Sequence, residues 1–183
     1  GPLGCGIQTG AGAVLNRLRP KAGSSLAVFG CGTVGMSAIM AARIAGCARI
    51  IAVGGTPSSL ELAKEIGATH AVNRRETPDI AARIKEITGG GAHYAIDTTG
   101  VPALIKTALA SLRFLGTAVV LGVTGDLTIN VQEELMGEAK SLIGIVEGDA
   151  IPKLFIPQLL DYYRQGRFPF DRLITFYDFA DIN

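Results

Sequence analysis

The sequence predicts an α/β protein built on one open, doubly wound parallel sheet, with helices on both faces in an α/β/α three-layer arrangement. Three observations carry this prediction. Short apolar runs alternate with helical patterns in the order β-α-β-α-β-α-β-α-β. The runs end at small residues, namely Gly30, Gly54, Thr98 and Gly122. Hydrophobic residues make up 48% of the chain and charged residues only 18%, which suits a sheet buried on both faces.

The opening segment, from Leu3 to Leu15, is rich in glycine and reads as a turn leading into a helix over Thr9 to Leu18, which Pro20 ends. Leu26 to Phe29 follow as a short buried strand. A helix over Val34 to Ala45 is apolar on nearly every face, as expected of a helix packed on a sheet. Arg49 to Val53 form the second strand, and the next helix runs from about Ser58 to Ile66, with Gly67 as its stop. His70 to Asn73 form a short third strand. Pro78 and Asp79 open a helix that runs to about Thr88 and ends at the triplet Gly89-Gly90-Gly91. Tyr94 to Asp97 form the fourth strand, and Pro102 occupies the first turn of another helix, where proline is tolerated. Thr117 to Leu121 form the fifth strand. Further short strands are predicted at Leu127 to Ile129 and Ser141 to Ile145, with a helix between them. Beyond Val146 an amphipathic helix spans Ile151 to Arg164, and Arg172 to Tyr177 read as a strand.

A chain of 183 residues can bury one sizeable core. A net charge of +1 gives no footprint for nucleic acid or a membrane surface. No run approaches the roughly 18 apolar residues of a membrane span. Three widely spaced cysteines do not make a disulfide framework, so a reducing cytoplasm is the expected compartment. The start, Gly1-Pro2-Leu3, is read as a processing or cloning scar or as the cut end of a longer protein.

The first strand–helix junction carries the chemistry. Its sequence, Gly30-Cys31-Gly32-Thr33-Val34-Gly35, has the spacing Gly-x-Gly-x-x-Gly. Gly30 allows a sharp turn, Gly32 lets a pyrophosphate approach the backbone, and Gly35 lets helix and strand pack closely. The free N–H groups and positive dipole end of the following helix favour an anion. A glycine-rich turn that binds nothing is the plainer alternative. The repeated small residues at the strand ends favour a dinucleotide-binding Rossmann fold, because an extended ligand can lie along that edge.

Over essentially its whole length the chain resembles the cofactor-binding half of the zinc-dependent, medium-chain alcohol dehydrogenases. The resemblance rests on Gly4-Cys5-Gly6 with Thr9-Gly10, on the fingerprint Val28 to Gly35, on Glu65-Ile66-Gly67-Ala68-Thr69, and on Pro152-Lys153-Leu154 with Leu173-Ile174-Thr175. The wording of the Gly4 to Asn16 stretch is most similar to the aryl- or benzyl-alcohol branch. The resemblance implies a linker over 1–9, a dinucleotide-binding domain over 10–146, and a return segment over 147–183. The terminal pieces would belong to a catalytic domain absent from this chain, as would a final helix beyond Asn183. Cys5 would be one ligand of the catalytic zinc, bound only in the intact protein. Gly30, Gly32, Thr33, Val34 and Gly35 would hold the pyrophosphate. Thr9 would lie near the nicotinamide, and Thr98, Thr99, Leu121 and Val123 would line the adenosine and nicotinamide path. The implied activity of the intact enzyme is oxidation of a primary, aromatic alcohol to the aldehyde with NAD(P). The implied assembly is a homodimer or tetramer joined through edge strands at Leu127 to Ile129 and Ser141 to Ile145.

Two departures from the family pattern stand out. His70 and His93 do not have ligand spacing to Cys5 and are expected at the surface, while Cys31 and Cys47 are read as small buried residues. The second strand also ends without the acid that normally holds the ribose 2′-hydroxyl of NAD about 20 residues past the glycines. Gly54, Gly55 and Thr56 stand there instead. Thr56, Ser58 and Ser59 can donate hydrogen bonds to a 2′-phosphate, although no arginine adjoins the turn in the sequence. NADP is therefore favoured over NAD. Two other readings remain: a zinc-independent quinone or enal reductase of the same superfamily, and a non-catalytic dinucleotide-binding domain.

Overall fold

A computed structural model describes residues 2–181. Gly1, Ile182 and Asn183, parts of the predicted terminal pieces, lie outside the described residues. Six strands form one parallel sheet in the order β3-β2-β1-β4-β5-β6. They are β1 (Ser25–Phe29), β2 (Arg49–Gly54), β3 (His70–Asn73), β4 (Ala92–Asp97), β5 (Leu112–Val120) and β6 (Ser141–Gly144). The helices are α1 (Gly6–Gly12), α2 (Thr33–Ile44), α3 (Pro57–Ile66), α4 (Ile80–Thr88), α5 (Pro102–Ala110), the single turn α6 (Val131–Glu134) and α7 (Pro152–Arg164).

Alternation along the strands divides the core in two. Leu26, Val28, Ile50, Ala52, Ile96 and Val119 face one side, under Met36, Ile39 and Met40 of α2, Leu60 and Ala63 of α3, and Phe155 and Leu159 of α7. Ala27, Phe29, Ile51, Val53, Ala95 and Ala118 face the other, under Ile84 of α4 and Ala108 and Leu109 of α5. Each fully buried large aliphatic or aromatic side chain contributes roughly 1.5–3 kcal/mol by leaving water. The three-layer, doubly wound prediction matches this architecture.

The terminal pieces pack into the same core. Ile7, Ala11, Phe168 and Phe170 join the α2 side. α1 meets α2 at backbone distance, and a Cβ on Gly10 would stand 1.9 Å from the Val34 carbonyl oxygen and 2.2 Å from Ser37 Oγ. That approach explains why the helix starts at Gly6 rather than Thr9 despite its glycines: tertiary packing overrides weak propensity. From Ala13 to Leu18 the helix widens into a π-helix, and Pro20 follows its left-handed end at Arg19.

Two predicted strands are absent among the described residues. Leu127 to Ile129 lie in the loop between β5 and α6 and pair with nothing, so the sheet ends on that side at β6, with β3 as its other edge. Their half-buried, exposed, half-buried alternation imitates a strand without a neighbouring ladder. Arg172 to Tyr177 likewise form no strand. A 3-10 turn over Phe170–Leu173 precedes an irregular stretch in which Phe176 and Tyr177 are exposed. β5 starts at Leu112 rather than Thr117, but regular pairing begins at Thr117, after a bulge that contains left-handed Leu115. β6 and the boundaries of α3, β3, α4 and α5 fall on or within two residues of expectation.

Both histidines sit within strands and are half-buried, not surface residues. His93 ties β4 to the start of β1. The Ser25 N–H donates to His93 Nδ1 at 3.1 Å, and the His93 N–H donates to Ser25 Oγ at 3.1 Å. Burial, and then the charge of Arg113, hold the imidazole below its ordinary value. The folded chain therefore prefers the neutral ring, while the unfolded chain takes up a proton as pH falls below about 6.5. His93 contributes stability above that pH, and the contribution is lost as pH falls toward its depressed folded value.

Two outcomes follow. Gly10→Val forces α1 off α2 and lowers unfolding stability by about 3 kcal/mol in urea titration; an unchanged midpoint would contradict the close contact. His93→Gln flattens the fall in melting temperature between about pH 7.5 and 5 relative to the parent chain. An identical pH slope in the two proteins would contradict the assignment.

Candidate functional site

The site is built where β1 and β4 part company in the strand order, since successive connections leave them on opposite sides. The carboxyl end of β1 is held from three sides. The Gly30 N–H donates to the Val53 carbonyl of β2 at 2.9 Å. The Thr98 N–H and Thr98 Oγ1 both donate to the Phe29 carbonyl, each at 2.9 Å. A Cβ on Gly35 would stand 1.9 Å from the Gly30 oxygen, so α2 springs directly from the strand end. Gly30 itself has φ +101°, a conformation that favours glycine.

Gly32 is different. A Cβ there would meet nothing within 4 Å, so the chain leaves open space beside the first turn of α2. Gly32 is the N-cap of that helix, and no side chain caps it. The first N–H groups of α2 thus lack intrahelical partners and face an open surface with the positive end of the helix dipole. Such a cradle suits a pyrophosphate.

Next to it lies a cavity of about 210 Å³. It brings together Gly30, Gly54, Gly55, Thr56, Ser59 and Thr99, all expected from the sequence, with Phe29, Cys31, Val53, Arg74 and Leu104, which were not. Ser58 is exposed in the first turn of α3 and lies outside the cavity lining. α3 also begins without a side-chain cap, at Thr56.

On the other side of the α2 cradle stands the start of α1. A Cβ on Gly6 would be 3.3 Å from Thr33 Cγ2 and 3.8 Å from Val34 Cγ2, so the Cys5 turn neighbours the glycine motif. Cys5 is an exposed free thiol at the N-cap of α1, and Thr9 is half-buried in the helix, its N–H donating to the Cys5 carbonyl. Thr98 is committed to the β1 carbonyls. Thr99 Oγ1 donates to Asp97 Oδ1 at 2.7 Å, and the Gly100 N–H to Asp97 Oδ2 at 2.9 Å. Asp97 is fully buried, and its carboxylate shapes the β4–α5 turn, a role invisible in the sequence. Leu121, at the end of β5, is half-buried, and Val123 is fully exposed. Cys5, Thr9, Thr98, Leu121 and Val123 all lie outside the cavity lining.

Cys31 departs from expectation. It is half-buried, packing against the α2-side core with one part and lining the cavity with another, and burial raises its thiol pKa to about 11. Cys47 is buried as expected and also raised to about 11. Arginine is the larger correction. None adjoins Gly54 in the sequence, but β2 and β3 pair so that Gly54 stands opposite Asn73, and the Arg74 N–H donates to the Gly54 carbonyl at 2.8 Å. Two arginines, Arg74 and Arg75, are therefore delivered to the turn.

Among the described residues no group of three His, Cys, Asp or Glu side chains could hold a metal ion. Cys5 alone does not make a zinc site, and the two histidines are tied into β3 and β4. All three cysteines are free. No helix among the described residues is long and apolar enough to cross a membrane.

Comparisons with known proteins agree with this arrangement. The family model for zinc-binding dehydrogenases matches residues 33–162. Geraniol dehydrogenase from Castellaniella defragrans is 46% identical over 185 residues, a match covering 100% of this chain and 50% of that protein. The crystal structure of an alcohol dehydrogenase zinc-binding domain protein from Burkholderia ambifaria superposes with a TM-score of 0.95 at 52% identity, covering 99% of this chain and 49% of that one. Benzyl alcohol dehydrogenase from Acinetobacter calcoaceticus superposes with a TM-score of 0.94 at 46% identity, covering 99% and 50%. The chain spans about half the length of these relatives. On the evidence of its fold, its glycine cradle and these matches, it belongs to the zinc-binding dehydrogenase family.

Proposed function

We propose that this chain is the coenzyme-binding half of an NAD(P)-dependent alcohol dehydrogenase and that it prefers NADP. The observation that carries the reading is the open cradle at Gly32, with an uncapped helix end beside it, at the point where the strand order reverses. Gly30, Gly32, Thr33, Val34 and Gly35 would take the pyrophosphate. The cavity lined by Gly54, Gly55 and Thr56 would take the adenosine ribose, with Thr99 on its far wall and Ser58 at the rim. Thr9, Thr98, Leu121 and Val123 would lie along the path toward the nicotinamide. When bound, the nicotinamide supplies a hydride acceptor. This chain's share is to fix the coenzyme's position and to keep water from its buried face.

The substrate class follows from the relatives' names. Geraniol and benzyl alcohol are both primary alcohols with a π-system next to the carbinol carbon, and this chain's full protein would oxidise an alcohol of that kind to the aldehyde. Residues 1–9 and 147–183 would join a catalytic domain to the dinucleotide-binding body at 10–146. Cys5 would supply one thiolate to a zinc site completed by residues outside this chain. Three free cysteines suit a reducing cytoplasm. The β6 edge would pair with a second copy to form a homodimer or a tetramer, because an unpaired strand invites another.

Nicotinamide fluorescence titration of the chain tests this reading. NADPH is expected to bind, and NADH to bind at least about tenfold more weakly, the order of one charge-assisted contact. The chain alone is expected to oxidise no geraniol or benzyl alcohol. Binding of neither coenzyme, NADH binding as tightly as NADPH, or turnover by the chain alone would contradict it.

A further inference from the structure

Arg74 and Arg75 form a paired-cation device with no carboxylate partner among the described residues. A Cβ on Gly55 would stand 3.1 Å from Arg74 Nε and 3.2 Å from Arg75 Nε, so both side chains converge over the same glycine. Neither guanidinium enters an ion pair among the described residues. Glu76, the next residue, is engaged instead by Asn73, whose Nδ2 donates to Glu76 Oε1 at 2.7 Å. Asn73 Oδ1 accepts the Arg75 N–H at 3.0 Å, so the same side chain fixes the turn that carries both arginines. Two like charges converging without a carboxylate repel each other unless an anion joins them.

The room for that anion is defined by a second exchange of side chains. A Cβ on Gly54 would stand 2.9 Å from Cys31 Sγ and 3.1 Å from Leu60 Cδ2. Cys31 thus occupies the space in which an acidic side chain at position 54 would begin. The carboxylate is missing because residue 54 is glycine, and the Cys31 thiol stands where its side chain would start.

We propose that Arg74 and Arg75, with the uncapped start of α3, bind the 2′-phosphate of the coenzyme, and that Cys31 enforces the choice by filling the place of the missing acid. The inference rests on the coenzyme-binding reading above and assigns its selectivity to named residues. Arginine suits a phosphomonoester because its planar fork meets two oxygens at once. The free N–H groups of α3 add a partial positive charge from a third direction.

The test compares NADPH and NADH binding by nicotinamide fluorescence for the parent chain and three variants. Arg74→Ala/Arg75→Ala is expected to weaken NADPH at least about tenfold and to leave NADH within about twofold. Gly54→Asp alone is expected to lose stability through its contact with Cys31. Gly54→Asp/Cys31→Ala is expected to fold and to favour NADH. Arg164→Ala, which removes an exposed cation on α7 outside the cavity lining, controls for net charge and is expected to change neither affinity. Equal loss of both coenzymes in the double-arginine variant would overturn the 2′-phosphate assignment while leaving coenzyme binding intact, as would no loss of NADPH. Binding of neither coenzyme by the parent would overturn the underlying reading as well. A Gly54→Asp chain as stable as Gly54→Asp/Cys31→Ala would overturn the role of Cys31.

Discussion

The end of β1 is the constraint on which the rest of the site depends. Its last carbonyls and the Gly30 N–H are each claimed by a different element. Val53 of β2 accepts from Gly30, Thr98 just past β4 donates twice to Phe29, and Gly35 of α2 lies against the Gly30 oxygen. These contacts satisfy backbone groups that would otherwise be costly to bury. They also fix the relative heights of two neighbouring strand ends and the origin of one helix. The open space at Gly32 is what remains once those positions are filled. A binding cradle thus arises from packing requirements, without a side chain dedicated to it.

From that fixed point the neighbouring elements inherit their roles. Parallel register carries the β2 end to Gly54 and sets Asn73 of β3 beside it. The turn after β3 then falls over Gly55, bringing two arginines next to the position that lacks an acid. On the other flank α1 is drawn against α2 at Gly10, which sets the Cys5 turn beside Thr33. The proposed selectivity at one end and the proposed junction with a catalytic partner at the other would both be consequences of helices and strands packed at backbone distance. That is why small residues recur at these junctions.

Much of this was legible in the sequence, and the failures have a common cause. The motif Gly30 to Gly35 announces itself, because strand, turn and helix are adjacent along the chain. β3 was read residue for residue, since an apolar run between Gly67 and the polar residues after Asn73 leaves little freedom. Arg74 and Arg75 were not linked to Gly54, because only strand register brings residues twenty positions apart together. Asp97 read as the last residue of a strand, although it is fully buried and organises the turn that follows. Leu127 to Ile129 and Arg172 to Tyr177 have strand-like patterns, but a strand needs a neighbour, and local patterning does not say whether one is present. Cys31 looked like a packing residue because cysteine usually is one; its place in the cavity follows from Gly54 having no side chain.

The central claim is that the β2–α3 turn and the β3 turn together hold a 2′-phosphate. A crystal structure of the chain with NADP bound measures this most directly. The account expects the 2′-phosphate oxygens within hydrogen-bond distance, about 3 Å, of the Arg74 and Arg75 guanidiniums, with the pyrophosphate over Gly32. A coenzyme seated on Gly32 whose 2′-phosphate points into solvent, away from both arginines, would contradict it.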